Sequence, residues 1–481
     1  LEAGFWFSGL FTLVACGFMF GASCGGLWAA GLSWDAAGIR DFAGLWFGVI
    51  AGCGLVISIP VGVTTWLARG IGSRLGRQGV PSQVRRRRRR RRWLVAAVLV
   101  SAGTLAGLAG GGYLGRVALR EMNEAIAETD ALDPYWRLED LLATRVEVLD
   151  EENSAFLVDE AQELTPKDWP WRSRRIDPDE VGPPAPQGAE TALGRASTID
   201  ASIRLDDAST EALRAELTDL DEAVGIALEV ADYDWGRNEL EMGPVLIDPP
   251  LPHAQPARTV ARLLWADAIL SVQDGEPDEA VEACLAIFGV ARSFGDEPIA
   301  VSQRVRLAID ALALQATRRV LAQDEPSDDW LAALQDWILY ERNQPLSWYG
   351  LRGERAILVE LIRRVSAGEV IVDMRGRPHP AAADPAVRVD LLTAIRALYE
   401  ISVSLRWFNE MLIAVEGPET GWIAGIESVQ AKIREVANSR LGPFTSLNAL
   451  KWMPEMMTLV SYELRIRAEL GATAILIAAE R

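Results

Sequence analysis

Very few side chains in this sequence could carry out acid–base, nucleophilic or metal chemistry. There are two histidines, His253 and His379, each beside a proline (LPHAQP and RPHP) in stretches that read as loops. Paired histidines at metal-ligand spacing are missing, so a histidine-built metal site is not expected, and the sequence implies no cofactor. Of four cysteines, Cys16, Cys24 and Cys53 fall in apolar runs near the start, leaving Cys284 alone later in the chain on an apolar helix face. That position cannot form a disulfide within its own region and reads as core. Neither a phosphate-cradling glycine loop nor a strained nucleophile turn occurs. The acidic pairs Glu151–Glu152 and Asp328–Asp329 sit where helices should begin, and the helix dipole explains them without catalysis. A two-carboxylate hydrolase remains open, because such sites leave little local trace. Trp169 and Trp171, in a proline-rich loop, are the candidates for a contact surface.

The elements that would position these residues begin with charge. The sequence carries net charge −19, but unevenly. Residues 1–115 hold twelve arginines against Glu2, Asp35 and Asp41, net +9. The remainder has 36 basic and 64 acidic residues, net −28. Two halves so different imply two environments.

Three uncharged runs explain the basic half: AGFWFSGLFTLVACGFMFGASCGGLWAAGL (3–32), FAGLWFGVIAGCGLVISIPVGVTTWL (42–67) and WLVAAVLVSAGTLAGLAGGGYL (93–114). Each reaches the roughly 20 residues that cross a hydrocarbon core of about 30 Å. The first is too long for a cleaved signal peptide, and two more follow it. The expected arrangement is three transmembrane helices with an arginine-rich loop at 68–92 between the second and third. That loop contains Arg85, Arg86, Arg87, Arg88, Arg89, Arg90, Arg91 and Arg92 in unbroken succession. Positive charge flanking a span stays cytoplasmic. Taking one arginine to the bilayer centre costs about 2.5–3.5 kcal/mol, and eight on the order of 20 kcal/mol or more. The run therefore orients the protein in the cytoplasmic membrane, with everything after Leu114 outside, and it can contact anionic headgroups. Nucleic acid is the disfavoured partner, since no aromatic side chains interleave the arginines to stack on bases.

Gly103, Gly107, Gly111 and Gly115 recur every four residues in the third run, as do Gly17, Gly21 and Gly25 in the first. Such spacing places them on one helix face, where a second helix can approach closely, within the chain or from another copy. No charge interrupts any run, which argues against an ion pathway.

From Arg116 onward the pattern is helical throughout. VALREMNEAIAETD (Val117–Asp130) continues out of the membrane, and WRLEDLLATR and DEENSAFLVDEAQEL follow. Val301, Val305, Leu312 and Val320 share a face of a helix started by Pro298 and ending near Asp324. Asp384–Pro385 opens a long helix running to about Val415, and further helices cover 423–439 and 452–480. VIVDMRGRP (Val370–Pro378) could form one small hairpin. Proline-rich stretches at 166–190 and 243–256 divide this portion into a membrane-proximal helical region, 116–245, and a C-terminal helical domain, 256–481. DGEP, GDEP and DEP punctuate a helix–turn–helix rhythm from Thr259 to Tyr340. GEPDEAVEACLAIF (Gly275–Phe288) resembles the second helix of a tetratricopeptide repeat, although unequal intervals make this repeat-like packing and no regular array.

DPYWRLEDLLATRVEVLDEENSA, RTVARLLWADAILSVQDGEPDEAVEACLA, RSFGDEP and ELGATAILIAAER together resemble a set of uncharacterised bacterial proteins with one membrane anchor before a large helical outer domain. The resemblance covers nearly all of Arg116–Arg481 and implies an exported helical domain without specifying an activity. It does not account for the two upstream runs. The first residue is Leu1, which implies a missing N-terminal segment, and the family continues past a helix like the last one here, which implies a truncated C-terminus. The expected fold is thus all-α: three transmembrane helices, then a large soluble helical-hairpin domain. The expected function is a membrane-anchored interaction or scaffold protein of the bacterial envelope, with the membrane and another envelope protein as partners and self-association through the glycine faces. The alternative is a carboxylate-based, glycosidase-like envelope hydrolase.

Overall fold

A computed structural model describes residues 82–171, 191–243, 246, 250–367, 369–372, 378–380, 391–438 and 449–481. The runs 3–32 and 42–67 lie outside the described residues. So do residues 68–81 of the expected loop. The chain divides into two compact units, Leu1–Arg120 and Glu121–Arg481.

In the first unit the described part is a helix, α1, which spans Ser82–Leu132 and so ends in the second unit. Its backbone includes the whole run Trp93–Leu114, while side chains within 82–108 are described at only some positions. Among the described residues, no helix is long and apolar enough to cross a membrane. One expectation is corrected here: Arg85–Arg92 do not form a loop but lie in α1, with Arg90 exposed. Arginine is a good helix former, so the helix starts at Ser82, ahead of the apolar run that opens at Trp93. Trp93, Val95, Tyr113, Leu114 and Val117 are all exposed.

Among its described residues, the regular structure of the second unit is helical apart from one small hairpin. After α1 come α2 (Leu138–Ala143), α3 (Ser154–Leu164), α4 (Ala192–Thr198), α5 (Asp207–Leu217) and α6 (Asp221–Glu229). Then follow α7 (Ala254–Asp274), α8 (Pro277–Arg292), α9 (Ala300–Gln323), α10 (Asp328–Arg342) and α11 (Leu346–Ala367). The hairpin pairs β1 (Val370–Val372) with β2 (Pro378–Pro380), antiparallel, with Ile371 opposite His379. The last three helices are α12 (Leu391–Glu416), α13 (Glu419–Asn438) and α14 (Ala449–Glu480).

Local signals set many of these boundaries. Asn153 caps α3 by accepting from the Ala155 N–H, so the helix starts after the acidic turn Asp150–Glu152. Gly275 ends α7 in a left-handed conformation, φ 83°, and Pro277 opens α8 two residues later. The resulting α7–α8 hairpin packs against α9, and α9 against α11 and α14. Other helix starts are satisfied by glutamates from distant segments. Glu354 in α11 accepts the Ala300 N–H at the start of α9, 3.1 Å away, and Glu463 in α14 accepts the Ser347 N–H at the start of α11. Glu216 in α5 accepts from Ala192 and Leu193 at the start of α4. A buried helix end without such partners would be costly.

One continuous core runs from Leu193 and Leu213 through Leu263, Phe288 and Leu314 to Leu459 and Ile477. Both sides of the proline-rich stretch 243–256 contribute to it. Val301 points outward, unlike Val305 and Val320, which are buried. Gly353 lets α11 pass against the Pro298 carbonyl, where a Cβ would have no room.

Candidate functional site: a buried turn and its charges

The densest collection of charged and hydrogen-bonding groups surrounds the turn between α8 and α9, residues Arg292–Ile299 (RSFGDEPI). The turn is not on the surface. Arg292, Phe294 and Glu297 are fully enclosed, and Ser293 and Ile299 nearly so. Gly295 takes φ 56°, and a Cβ there would lie 2.5 Å from the Gly236 carbonyl oxygen. The loop Trp235–Gly236 crosses the turn at this point, and only glycine on both sides permits it.

A buried loop must find partners for its backbone. The Gly236 N–H donates to the Arg292 carbonyl at 3.2 Å and Asn238 Nδ2 to that of Ser293 at 3.0 Å. Arg306 Nη1 donates to the Gly295 carbonyl at 3.1 Å, and Gln303 Nε2 to that of Glu297 at 2.8 Å. Asp296 takes Arg145 Nε at 3.2 Å and the Val146 N–H at 2.9 Å. Residues 145–146, residues 235–238 and the first turns of α9 thus converge on this eight-residue turn.

Two ionic groups sit beneath the turn. In the first, His253 Nε2 lies 3.0 Å from a Glu297 carboxylate oxygen, with the His253 ring edge-on to Phe294 at 5.4 Å. In the second, Glu341 from α10 faces two arginines. It bonds Arg306 Nη2 at 2.8 Å and lies 3.7 Å from Arg292 Nη1, all with no exposed side-chain surface. The Arg292 guanidinium stacks 3.7 Å over Trp337 and donates to the Tyr233 carbonyl at 3.2 Å. Burial lowers the Arg292 pKa. Burial also lowers the Arg306 pKa, but Glu341, by charge and hydrogen bond, and the charge of Asp310 outweigh it and its pKa is raised. Asp310, fully buried and beside Glu341, is held well above the ordinary carboxylate range, first by burial and then by its neighbour's charge.

Chemically this arrangement is a lock. Two guanidinium groups, the Glu341 carboxylate and the Asp310 carboxyl are closed off from solvent. Breaking one member leaves a buried charge uncompensated. His253–Glu297 is the kind of pair that orients an imidazole for base catalysis, yet no hydroxyl or thiol is bonded to the ring. Among the described residues, no three histidine, cysteine or acidic side chains are arranged to hold a metal ion.

The residues singled out from sequence fall elsewhere. Cys284 is fully buried in α8, and burial pushes its thiol up to about 12. Glu151–Glu152 and Asp328–Asp329 are exposed at helix starts. Trp169 and Trp171 differ in exposure, and the rest of their proline-rich stretch, 172–190, lies outside the described residues. Trp169 is 7% exposed and belongs to the core, and Trp171 is half-buried, its Nε1 donating to Thr191 Oγ1 at 2.9 Å with Arg262 stacked 5.4 Å from its ring. Prolines suggested a solvated loop, but the two large indoles supply apolar area that the domain packs inward. Gly103 and Gly107 are open, with nothing within 4 Å of an added Cβ, and Gly111 and Gly115 are half-exposed. Sequence reading missed the turn itself. Its one local signal was Phe294 and Ile299 bracketing Gly-Asp-Glu-Pro. No family model matches this chain, and comparison with curated proteins and with solved structures finds no match either.

Proposed function

We propose that this protein is a membrane-anchored helical scaffold of the bacterial cell envelope, which works by binding another envelope protein. The observation that carries the reading is the layout of α1. Trp93 and Tyr113, both exposed, stand twenty residues apart on one continuous helix, which is about 30 Å along its axis and matches a hydrocarbon core. Aromatic side chains prefer the two membrane interfaces, and every residue between them is uncharged. Arg85–Arg92 precede Trp93 directly and would keep that end cytoplasmic. The apolar side chains Val95 and Leu114 are exposed among the described residues, and acyl chains would cover them. The open face at Gly103 and Gly107, continued by Gly111 and Gly115, would suit a second membrane helix, from this chain or a further copy.

On the far side the helical unit Glu121–Arg481 would face the envelope with most of the −28 charge that follows residue 115. Such charge keeps a domain soluble and steers basic partners to it. The charged groups of the core, Glu341, Arg292, Arg306 and Asp310, are enclosed and face one another, which supports binding over catalysis. The resemblance to anchored bacterial proteins with helical outer domains agrees with this. Single cysteines at Ser82 and Ser197, labelled in intact cells with an impermeant maleimide, test the topology. Label at 197 and none at 82 is expected, and the opposite pattern would reverse the reading.

A further inference from the structure

Three large apolar side chains stand out from the second unit just before and within α3. Val146, Leu149 and Phe156 are each at least half exposed. Phe156 lies in the first turn of α3, where side chains lean toward the helix N-terminus. Its ring is therefore directed back toward the acidic turn Asp150–Glu152, which Leu149 opens.

The backbone beneath these side chains is fastened at both ends to the loop that crosses the buried turn. The Val146 N–H donates to Asp296 at 2.9 Å, and Arg237 Nη1 donates to the Val146 carbonyl at 2.8 Å. Asn153 Nδ2 donates to the Arg237 carbonyl at 3.0 Å, and its Oδ1 accepts the Arg237 N–H at 2.8 Å. Between these anchors, the N–H and carbonyl groups of Glu147 and Val148 bond no described residue. Leu149 is extended, with φ −67° and ψ 148°. Such a stretch is a fixed edge along which a second backbone can pair at little ordering cost.

Charge selects the occupant. From Val146 to Pro166 there are seven acidic residues and no basic one. All seven are exposed, and none forms an ion pair with a described residue. Asp159, Glu160 and Glu163 follow Phe156 at helical spacing and share its face of α3. Exposed apolar groups inside a rim of carboxylates are complementary to a segment that brings both apolar side chains and cations. An anionic lipid surface is repelled by the same carboxylates, and so is the same face of a second copy.

Resting on the binding reading of the outer unit, we propose that Val146, Leu149 and Phe156 are the docking surface for an extended segment of another protein, in which apolar side chains alternate with lysine or arginine. Apolar side chains of that segment cover Leu149 and Phe156, and its cations face Glu147, Glu151 and Glu152.

Fluorescence anisotropy on the full chain in a zwitterionic detergent tests it. The probe is a labelled peptide of about eight residues alternating lysine and leucine, which separates the two side-chain types onto opposite sides when extended. Leu149→Ser with Phe156→Ser should weaken its binding by about tenfold, as should Glu151→Lys with Glu152→Lys. Ile203→Ser, at an equally exposed apolar position elsewhere in the unit, should leave binding unchanged. A lysine–serine peptide should bind about tenfold more weakly than the probe. Undiminished binding by the Leu149/Phe156 variant would overturn the surface, as would an equal loss in Ile203→Ser or equal binding of the lysine–serine peptide. Should the double variant fail to fold, the wild-type chain answers the same question. Bound probe should slow amide exchange at Glu147–Leu149 by roughly tenfold, and no slowing there would sink the surface. None of these substitutions lies in α1, so labelling at position 197 is unaffected, and the surface can fail while the anchored reading stands.

Discussion

Two regions of this molecule invert the usual rule in opposite senses. Along α1, apolar side chains such as Trp93, Val95 and Leu114 stand exposed among the described residues. At the turn Arg292–Ile299 and the helices around it, Arg292, Glu297, Arg306, Asp310 and Glu341 lie in the interior with almost no exposed surface. An exposed apolar stretch is incomplete by itself and calls for something outside the chain. A buried charge cluster is complete only because residues remote in sequence close it from every side. The first region is therefore where a partner or a bilayer would act. The second is where the fold is held in one arrangement.

The comparison breaks most readily at Glu341. Glu341→Ala removes the carboxylate that Arg292 and Arg306 both face, leaving Asp310 as the acidic group beside them, and should cost about 3–5 kcal/mol in denaturant unfolding. Replacing all three charges together, Arg292→Met with Arg306→Met and Glu341→Leu, should recover most of that loss. A single variant that unfolds like wild type would show that the cluster is not closed. The complementary change puts charge into α1. Leu105→Arg, near the middle of the uncharged run, should cost about 2.5–3.5 kcal/mol of insertion and reduce the outside labelling of a cysteine at Ser197 in intact cells. Unchanged labelling at 197 would remove the reason for reading this helix as a span.

Acid–base linkage gives a subtler test of the buried region. Burial raises Glu354 from its ordinary 4.5 to about 7, the Ala300 N–H opposing only in part. Burial and the charges of Glu279, Glu282 and Asp221 raise Asp267 from 3.8 to about 6. Between the two values of each group the folded state binds more protons than the unfolded state. Stability contributed by the neutral form is present at acid pH and falls as pH rises toward 7. Glu354→Gln keeps an oxygen for the Ala300 N–H and removes the titration. It should be close to neutral at pH 4.5 and stabilising by about 1–3 kcal/mol at pH 8. Identical pH profiles for the variant and the wild-type chain would show that Glu354 is solvated.

Much of the fold could be read from local signals. Gly275 with Pro277, Pro298 ahead of α9, and Gly417–Pro418 after α12 each mark a helix boundary within a few residues. The hairpin expected over Val370–Pro378 forms and runs two residues further, to Pro380. The charged hub could not be read in the same way. Asp296 is neutralised by Arg145, Glu297 faces His253, and Arg306 faces Glu341. Those pairings follow from how helices pack, and Gly-Asp-Glu-Pro taken alone has the composition of an exposed turn. Trp169 misled for a related reason, since its neighbours are proline and charge while its partners lie elsewhere. The glutamates that cap distant helix starts, Glu354 and Glu463, were equally hidden: each sits mid-helix and acts on a segment far away.

The smallest expected effect defines what a buried charge is not. Arg214 of α5 donates two hydrogen bonds to Asp274 at the end of α7, at 2.8 and 2.9 Å, as well formed as any pair in the hub. Both side chains, however, are 46% and 37% exposed. Hydration competes for each charge, holding two long side chains in one geometry costs entropy, and salt screens what remains. Arg214→Ala should therefore cost less than about 1 kcal/mol, and that difference should shrink further as salt is raised. The pair and the Arg306–Glu341 contact have the same 2.8 Å separation, so geometry does not distinguish them. If Arg214→Ala proved as damaging as Glu341→Ala, burial would not be what makes the hub rigid. The contrast between a closed interior cluster and an open outer face would then have to be rebuilt on distance alone.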